Sequence, residues 1–170
     1  MKLSEGFAEL IGALIGDGYT YRNKRKYQIG FVGNPVNDLE YFKKLQQLIK
    51  QEWQKDSKLS FRERGVRLVI NSKEVCDFIL DELKIPTGNT KCERVIIPEH
   101  ILSNQRFICS ALRGIVDTDG SVFVAKKPGI EKYPSIEITT SSKDLAEQTR
   151  NLLIKQNFRV ANIRSYKSKM

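Results

Sequence analysis

Residues 114–120 read GIVDTDG, and residues 12–18 read GALIGDG. In each stretch an apolar run ends in an aspartate followed by a glycine: Asp119 and Gly120 in one, Asp17 and Gly18 in the other. Gly12 and Gly114 stand at the same offset of 102 residues, as do Asp17 and Asp119, and Gly18 and Gly120. Shared residues at a constant offset, followed by similar elements, argue for an internal duplication. The period is too long for a solenoid, so the two copies are expected to form a pseudo-twofold pair within one chain.

Outward from each stretch the pattern is the same. Ser4 can cap a helix from about Glu5 to Asp17, with Phe7, Leu10, Ile11, Leu14 and Ile15 at helical spacing. Residues 19–32 predict two strands joined by a basic turn. Residues 38–53 predict a second helix and 58–71 a hairpin turning near Gly65. Residues 72–84 predict a third helix, capped by Ser72. Residues 85–103, punctuated by Pro86, Gly88 and Pro98, read as a connection. QRFICSALRGIVDTD, ending at Asp119, restarts the series. It is followed by strands at SVFVA and SIEITT, a helix capped by Ser142, and a final strand or two in FRVANIRSY. The second copy lacks a counterpart of the helix at 72–84. The fold class expected is α+β, with one half at 1–102 and a shortened half at 103–170.

The chain has 170 residues and a formal charge of +9, a surplus that favours a polyanionic partner, with nucleic acid the default. No stretch reaches the apolar length of a membrane span, and the N-terminus lacks the features of a signal peptide, so an intracellular setting is expected, cytoplasmic or organellar. Cys76, Cys92 and Cys109 are widely spaced without a CxxC and read as reduced and structural. With His100 the single histidine, a zinc site or a histidine-based triad is disfavoured. His100 itself is expected in an exposed or capping place.

Gly12 and Gly16 are four residues apart, on one helical face, and Gly114 and Thr118 occupy the same places in the second copy. Small residues at that spacing let two helix backbones approach closely. Helices packed that way would bring their C-terminal ends together, and with them Asp17 and Asp119. Two carboxylates at the negative ends of two helix dipoles repel unless a cation lies between them. An oxygen-rich, histidine-free site suits Mg²⁺ rather than zinc. Asp117 has Ile15 as its counterpart and so reads as a helix-end residue outside any symmetric pair.

LIGALIGDG at 10–18 and LRGIVDTDG at 112–120 resemble the two motif copies of a monomeric, double-motif LAGLIDADG homing endonuclease of the intron-encoded type. The resemblance implies two αββαββα-like halves, a saddle of antiparallel sheets over duplex DNA, and motif helices at the central interface. It implies that Asp17 and Asp119 are the catalytic acids and bind Mg²⁺ (or Mn²⁺), helped by the carbonyls of Gly16 and Thr118. It implies a staggered double-strand break. The chain departs from the family's usual residues at Ile11, Arg113 and Ile15.

Strand parity assigns the DNA-facing side chains. With Tyr27, Ile29 and Phe31 inward, Lys26, Gln28 and Gly30 face out, and Tyr19 and Tyr21 share that face. Arg22, Lys24, Arg25 and Lys26 form a basic turn suited to phosphates. In the hairpin, Val66, Leu68 and Ile70 are expected in the core and Arg67 and Asn71 outward, joined by Arg62 and Arg64. In the second half Val122, Val124, Ile136 and Ile138 are expected inward, leaving Ser121, Phe123, Glu137 and Thr139 for DNA, with Arg159 and Arg164 on the final strand. Arg and Gln on the strands are candidates for base edges. Three function classes remain compatible with these residues: a metal-dependent endonuclease, an RNA-binding maturase, and a non-cutting DNA-binding regulator.

Overall fold

The computed structural model describes residues 2–62, 65–88 and 90–166. Helix α1 spans Glu5–Ile15, with the Ser4 hydroxyl accepting from the Phe7 amide at 2.9 Å. It is buried from Phe7 through Ile15, and Glu9 is the one charged side chain in that buried stretch. Strands β1 (Gly18–Arg22) and β2 (Tyr27–Gly33) follow, then α2 (Leu39–Leu48), which runs on as a π-helical turn to Trp53. Strands β3 (Lys58–Arg62) and β4 (Gly65–Asn71) lead into α3 (Lys73–Asp77), again extended by a π-helical turn, Phe78–Glu82. The four strands form one antiparallel sheet in the order β1-β2-β4-β3.

Residues 85–103 carry two short helices, α4 (Lys91–Arg94) and α5 (Glu99–Leu102). Val95, Ile97 and Ile101 of this connection are buried. Gln148 clamps it by accepting from the Ile97 amide (2.7 Å) and donating to its carbonyl (3.1 Å). Helix α6 (Gln105–Asp119) is followed by the hairpin β5 (Gly120–Lys127) and β6 (Ile130–Ile138), and then α7 (Lys143–Lys155), capped by Ser142. One continuous core joins α1, both faces of the connection, and residues of α6 and α7. Trp53 and Phe42 lie in it, with Phe7 edge-on to Trp53. Among the described residues no helix is long and apolar enough to cross a membrane, and no disulfide joins Cys76, Cys92 and Cys109.

Two expectations are overturned in the second half. Residues 158–166 form no strand. Their places at the offset of 102 correspond to β3, which in the first half exists by pairing with β4, and β6 has no such neighbour. Arg159 and Arg164 therefore lie exposed in coil. Val122, Val124 and Ile136, expected inward, are exposed at 74%, 63% and 64%. They share one face as expected, with Val122 opposite Ile136, but the matching face of the first sheet is covered by α3, and among the described residues nothing equivalent covers this one.

Candidate active site

Helices α1 and α6 lie in backbone contact. A Cβ on Gly12 would come within 2.1 Å of the Ala111 carbonyl oxygen, and one on Gly114 within 2.3 Å of the Glu9 carbonyl oxygen. These are the same contact on the two sides of the pseudo-twofold axis, since Ala111 corresponds to Glu9. A Cβ on Gly16 would meet the Thr118 hydroxyl at 2.1 Å and the Asp119 carboxyl carbon at 3.2 Å. Thus Gly12, Gly16, Gly114 and Thr118 form the helix interface, and Asp119 reaches across to the end of α1.

The backbone carbonyls of both acids are fastened to their own sheets. Asp17 accepts from the Val32 amide (3.4 Å) and Asp119 from the Thr139 amide (3.2 Å). Asp17 reaches solvent and Asp119 is half-buried. Both carboxyls sit above the ordinary aspartate range. Desolvation is the main cause for each, and repulsion adds to it, from Asp38 on Asp17 and from Asp17 on Asp119. A cation between the acids would relieve both effects.

A cation already lies beside them, and no sequence signal pointed to it. Lys91, at the start of α4, donates to the carbonyls of Leu14 (2.6 Å), Ile15 (2.8 Å), Gly16 (3.1 Å) and Gly18 (2.6 Å). The first three are carbonyls at the C-terminal end of α1, where the dipole is negative, and the fourth opens β1. Burial pulls the Lys91 ammonium down to about 8, against the upward pull of Asp119 and Asp17. The residue stands in a connection without helical or strand periodicity, and only the path of that connection brings it here. The Gly16 carbonyl, expected to serve a metal, is shared with Lys91, and the Thr118 hydroxyl donates back to the Gly114 carbonyl at 2.9 Å.

The depressed value has a testable sign. Between about 8 and the ordinary 10.5, the folded state binds fewer protons at Lys91 than the unfolded chain does. Stability contributed by this residue must therefore rise with pH through that window, and its cost is fully present below it. Thermal melting from about pH 7 to pH 10 should show wild type gaining on Lys91→Met; parallel profiles would contradict the assignment.

The oxygen set fits a hard divalent ion. Two carboxylates converge there, and among the described residues no cluster of three or more His, Cys, Asp or Glu could hold a metal. Remaining ligands must come from main-chain carbonyls, water and a bound phosphate, as Mg²⁺ tolerates.

The outer face of the first sheet carries Tyr19, Tyr21, Gln28, Arg62, Arg67 and Asn71. Register places Tyr21, Gln28 and Asn71 in one row, with Gln28 donating to Asn71 at 3.4 Å and the Tyr19 hydroxyl to Gln28 at 3.3 Å. Gly30 is needed under the Tyr19 ring, since a Cβ there would lie 2.5 Å from it. Arg67 is opposite Ser60 on the same face. The turn carrying Lys24, Arg25 and Lys26 is exposed and is ordered by Asn23, whose side-chain oxygen accepts from the Arg25 and Lys26 amides. Arg22 departs from its expected place. It pairs with Tyr27 on the helix-covered face and binds Asp77 (3.0 Å) and Asp81 (2.6 Å). Arg64 lies outside the described residues. On the second hairpin, Ser121 faces Glu137 and Phe123 faces Ser135 on one side, and Thr139 is exposed just beyond.

Residues 106–168 match the family model of a LAGLIDADG-like domain. The match takes in nearly all of α6, with Asp119, and the hairpin and helix that follow it. Structures of the homing endonuclease I-DmoI share its fold: mesophilic variants superpose with a TM-score of 0.62 at 17% identity, covering 90% of this chain and 78% of that one. I-DmoI in complex with DNA and Ca gives 0.62 at 17% identity over 90% and 73%. I-DmoI with DNA and Mn gives 0.59 at 18% over 89% and 77%. A curated relative, the replication factor C small subunit of Methanocaldococcus jannaschii, is 33% identical over 147 residues, 85% of this chain. The match spans 7% of that protein's length. The fold shared with these structures is α+β with antiparallel sheets.

Proposed function

We propose that this protein is a site-specific DNA endonuclease of the LAGLIDADG type that makes a staggered double-strand break. The observation that carries the proposal is the backbone contact of α1 and α6, which ends the two helices side by side with the Asp119 carboxyl against Gly16, next to Asp17. Each acid belongs to one half, so that one lies near each strand of a duplex laid along the sheets and the two share the cation chemistry between them. A divalent ion, Mg²⁺ or Mn²⁺, would supply activation of water and neutralisation of charge on the scissile phosphate. Asp17 and Asp119 would hold it, with help from main-chain carbonyls near Gly16 and Thr118. Lys91 neutralises the end of α1, so that the acids can approach a polyanion and each other. The +9 charge draws the duplex to the protein, and the row of Tyr21, Gln28 and Asn71 offers donors and acceptors to base edges. The relatives solved with DNA and divalent metal support this reading. Cleavage of a randomised duplex library in Mg²⁺ by wild type, and its loss with either acid replaced, tests it.

The two arginines of the first sheet separate contact from scaffolding. Arg67→Ala should weaken duplex binding and lower the slope of log affinity against log salt by about 1. Arg22→Ala should leave that slope unchanged and lower Tm only slightly, as expected of solvent-screened ion pairs. Equal salt slopes for the two variants would remove Arg67 from the interface.

A further inference from the structure

The small residues of α1 and α6 permit close approach but do not select one alignment. Gly12 and Gly16 are one turn apart, as are Gly114 and Thr118. Sliding α1 by a turn, about 5.4 Å, puts Gly16 where Gly12 contacts Ala111, and Ala13 where Glu9 contacts Gly114. Both alignments meet the steric demand, and only one brings Asp17 level with Asp119.

A charged cluster distinguishes them. Glu9 is 3% exposed in the middle of α1. Its Oε2 accepts from Arg113 of α6 at 2.6 and 2.9 Å, and its Oε1 lies 2.6 Å from Lys44 Nζ of α2. Lys44 also lies 3.6 Å from Asp117 of α6, and its ammonium stands 5.7 Å from the Tyr41 ring. At the offset of 102, the counterparts of Glu9, Arg113, Lys44 and Asp117 are Ala111, Ile11, Ala146 and Ile15, none of them charged. The cluster therefore exists on one side of the pseudo-twofold axis only. Slid by a turn, Arg113 and Lys44 would face Ala13 and lose their carboxylate, and Glu9 would take the exposed place of Glu5 beside Arg106, so the buried pairing exists in one alignment and not in the other.

We propose that Glu9 is the register pin of the motif-helix pair: held by Arg113 and Lys44, it selects the alignment in which Asp17 and Asp119 end level. It is a positioning residue, acting through the helices. Its consequence for metal rests on the function proposed above. It also disfavours a symmetric α1–α1 pairing between two copies, in which Glu9 would meet Ile11 in place of Arg113.

The test is the double variant Glu9→Met/Arg113→Met, which replaces the buried Glu9 carboxylate and its half-exposed arginine partner by apolar side chains of similar length and is expected to fold. Arg113→Met alone, which leaves Lys44 on Glu9, serves if the double variant does not fold. Two readouts are used. Binding of Mn²⁺ alone, by titration calorimetry, should weaken at least about tenfold, the loss expected when supporting partners of ligands are removed. Spin labels on Glu5→Cys and native Cys109, which line one groove between the helices, in a Cys92→Ser background, should report a second distance population in the variant. A folded variant with one unchanged distance and wild-type Mn²⁺ affinity overturns the pin. Absence of Mn²⁺ binding by wild type would count against the proposed function, while the spin-label distances would still decide the pin.

Discussion

Asp17→Asn and Asp119→Asn are each expected to abolish double-strand cutting while duplex affinity measured without metal stays within a few-fold of wild type. The amide is nearly isosteric with the carboxylate, so the α1–α6 interface is undisturbed. It carries no charge, so it holds a hard cation poorly and leaves the opposite acid without its partner. Losing several kcal/mol of charge stabilisation corresponds to a rate loss of roughly 10³ or more. Because each acid belongs to a different half, the experiment has internal structure. If each acid served one strand independently, a single variant would nick. If both share the cation chemistry, as their electrostatic coupling indicates, either substitution stops both cuts. Supercoiled plasmid carrying the target separates nicked, linear and uncut products in one gel. Linear product from Asp119→Asn at the wild-type rate would defeat the paired-acid assignment, and loss of duplex binding by either variant would show that the acids serve the fold instead.

The second large effect is expected at the helix interface. Gly12→Ala places its methyl group 2.1 Å from the Ala111 carbonyl oxygen and 3.0 Å from its Cα, all backbone. Gly114→Ala meets the Glu9 carbonyl oxygen at 2.3 Å and the Ala13 amide nitrogen at 2.7 Å. No rotamer change relieves such contacts, so the helices must separate. Alanine gains about 1 kcal/mol over glycine in helix propensity, and overpacking costs about 1–3 kcal/mol or more, so the net sign is set by packing. Each variant should lose about 2 kcal/mol, a fall of roughly 4–8 °C in Tm for a chain of this size. Gly16→Ala provides the contrast. Its neighbours are the Thr118 side chain and the Asp119 carboxyl, so its cost should fall on the position of the acid, with less effect on Tm. Unchanged melting of Gly12→Ala and Gly114→Ala would mean that the backbones are not in contact.

The exposed apolar row Val122, Val124 and Ile136 has a physical origin in the asymmetry of the two halves. The first sheet has four strands and α3 over one face, and the second hairpin has neither additional strands nor such a helix among the described residues. Alternation in SVFVA and SIEITT sets which residues share a face, and the register bears it out. Alternation carries no information on whether anything covers that face, because burial depends on segments distant in the chain.

The same division runs through the site. The duplicated acid-glycine motif, its offset, and the small residues one helical turn apart were legible in the sequence, because they act through local geometry: helical spacing, strand parity, and the steric size of glycine. Those features alone determined the α+β class, the motif-helix pairing and the candidacy of Asp17 and Asp119. Tertiary structure decided the rest. Lys91 reaches the end of α1 across some 75 residues of chain, Arg22, set by alternation opposite to Tyr21, finds Asp77 and Asp81 on its face, and Glu9 is paired by residues of two other helices. Each depends on charges brought together from distant segments, and Coulomb attraction between such groups leaves no period in a sequence.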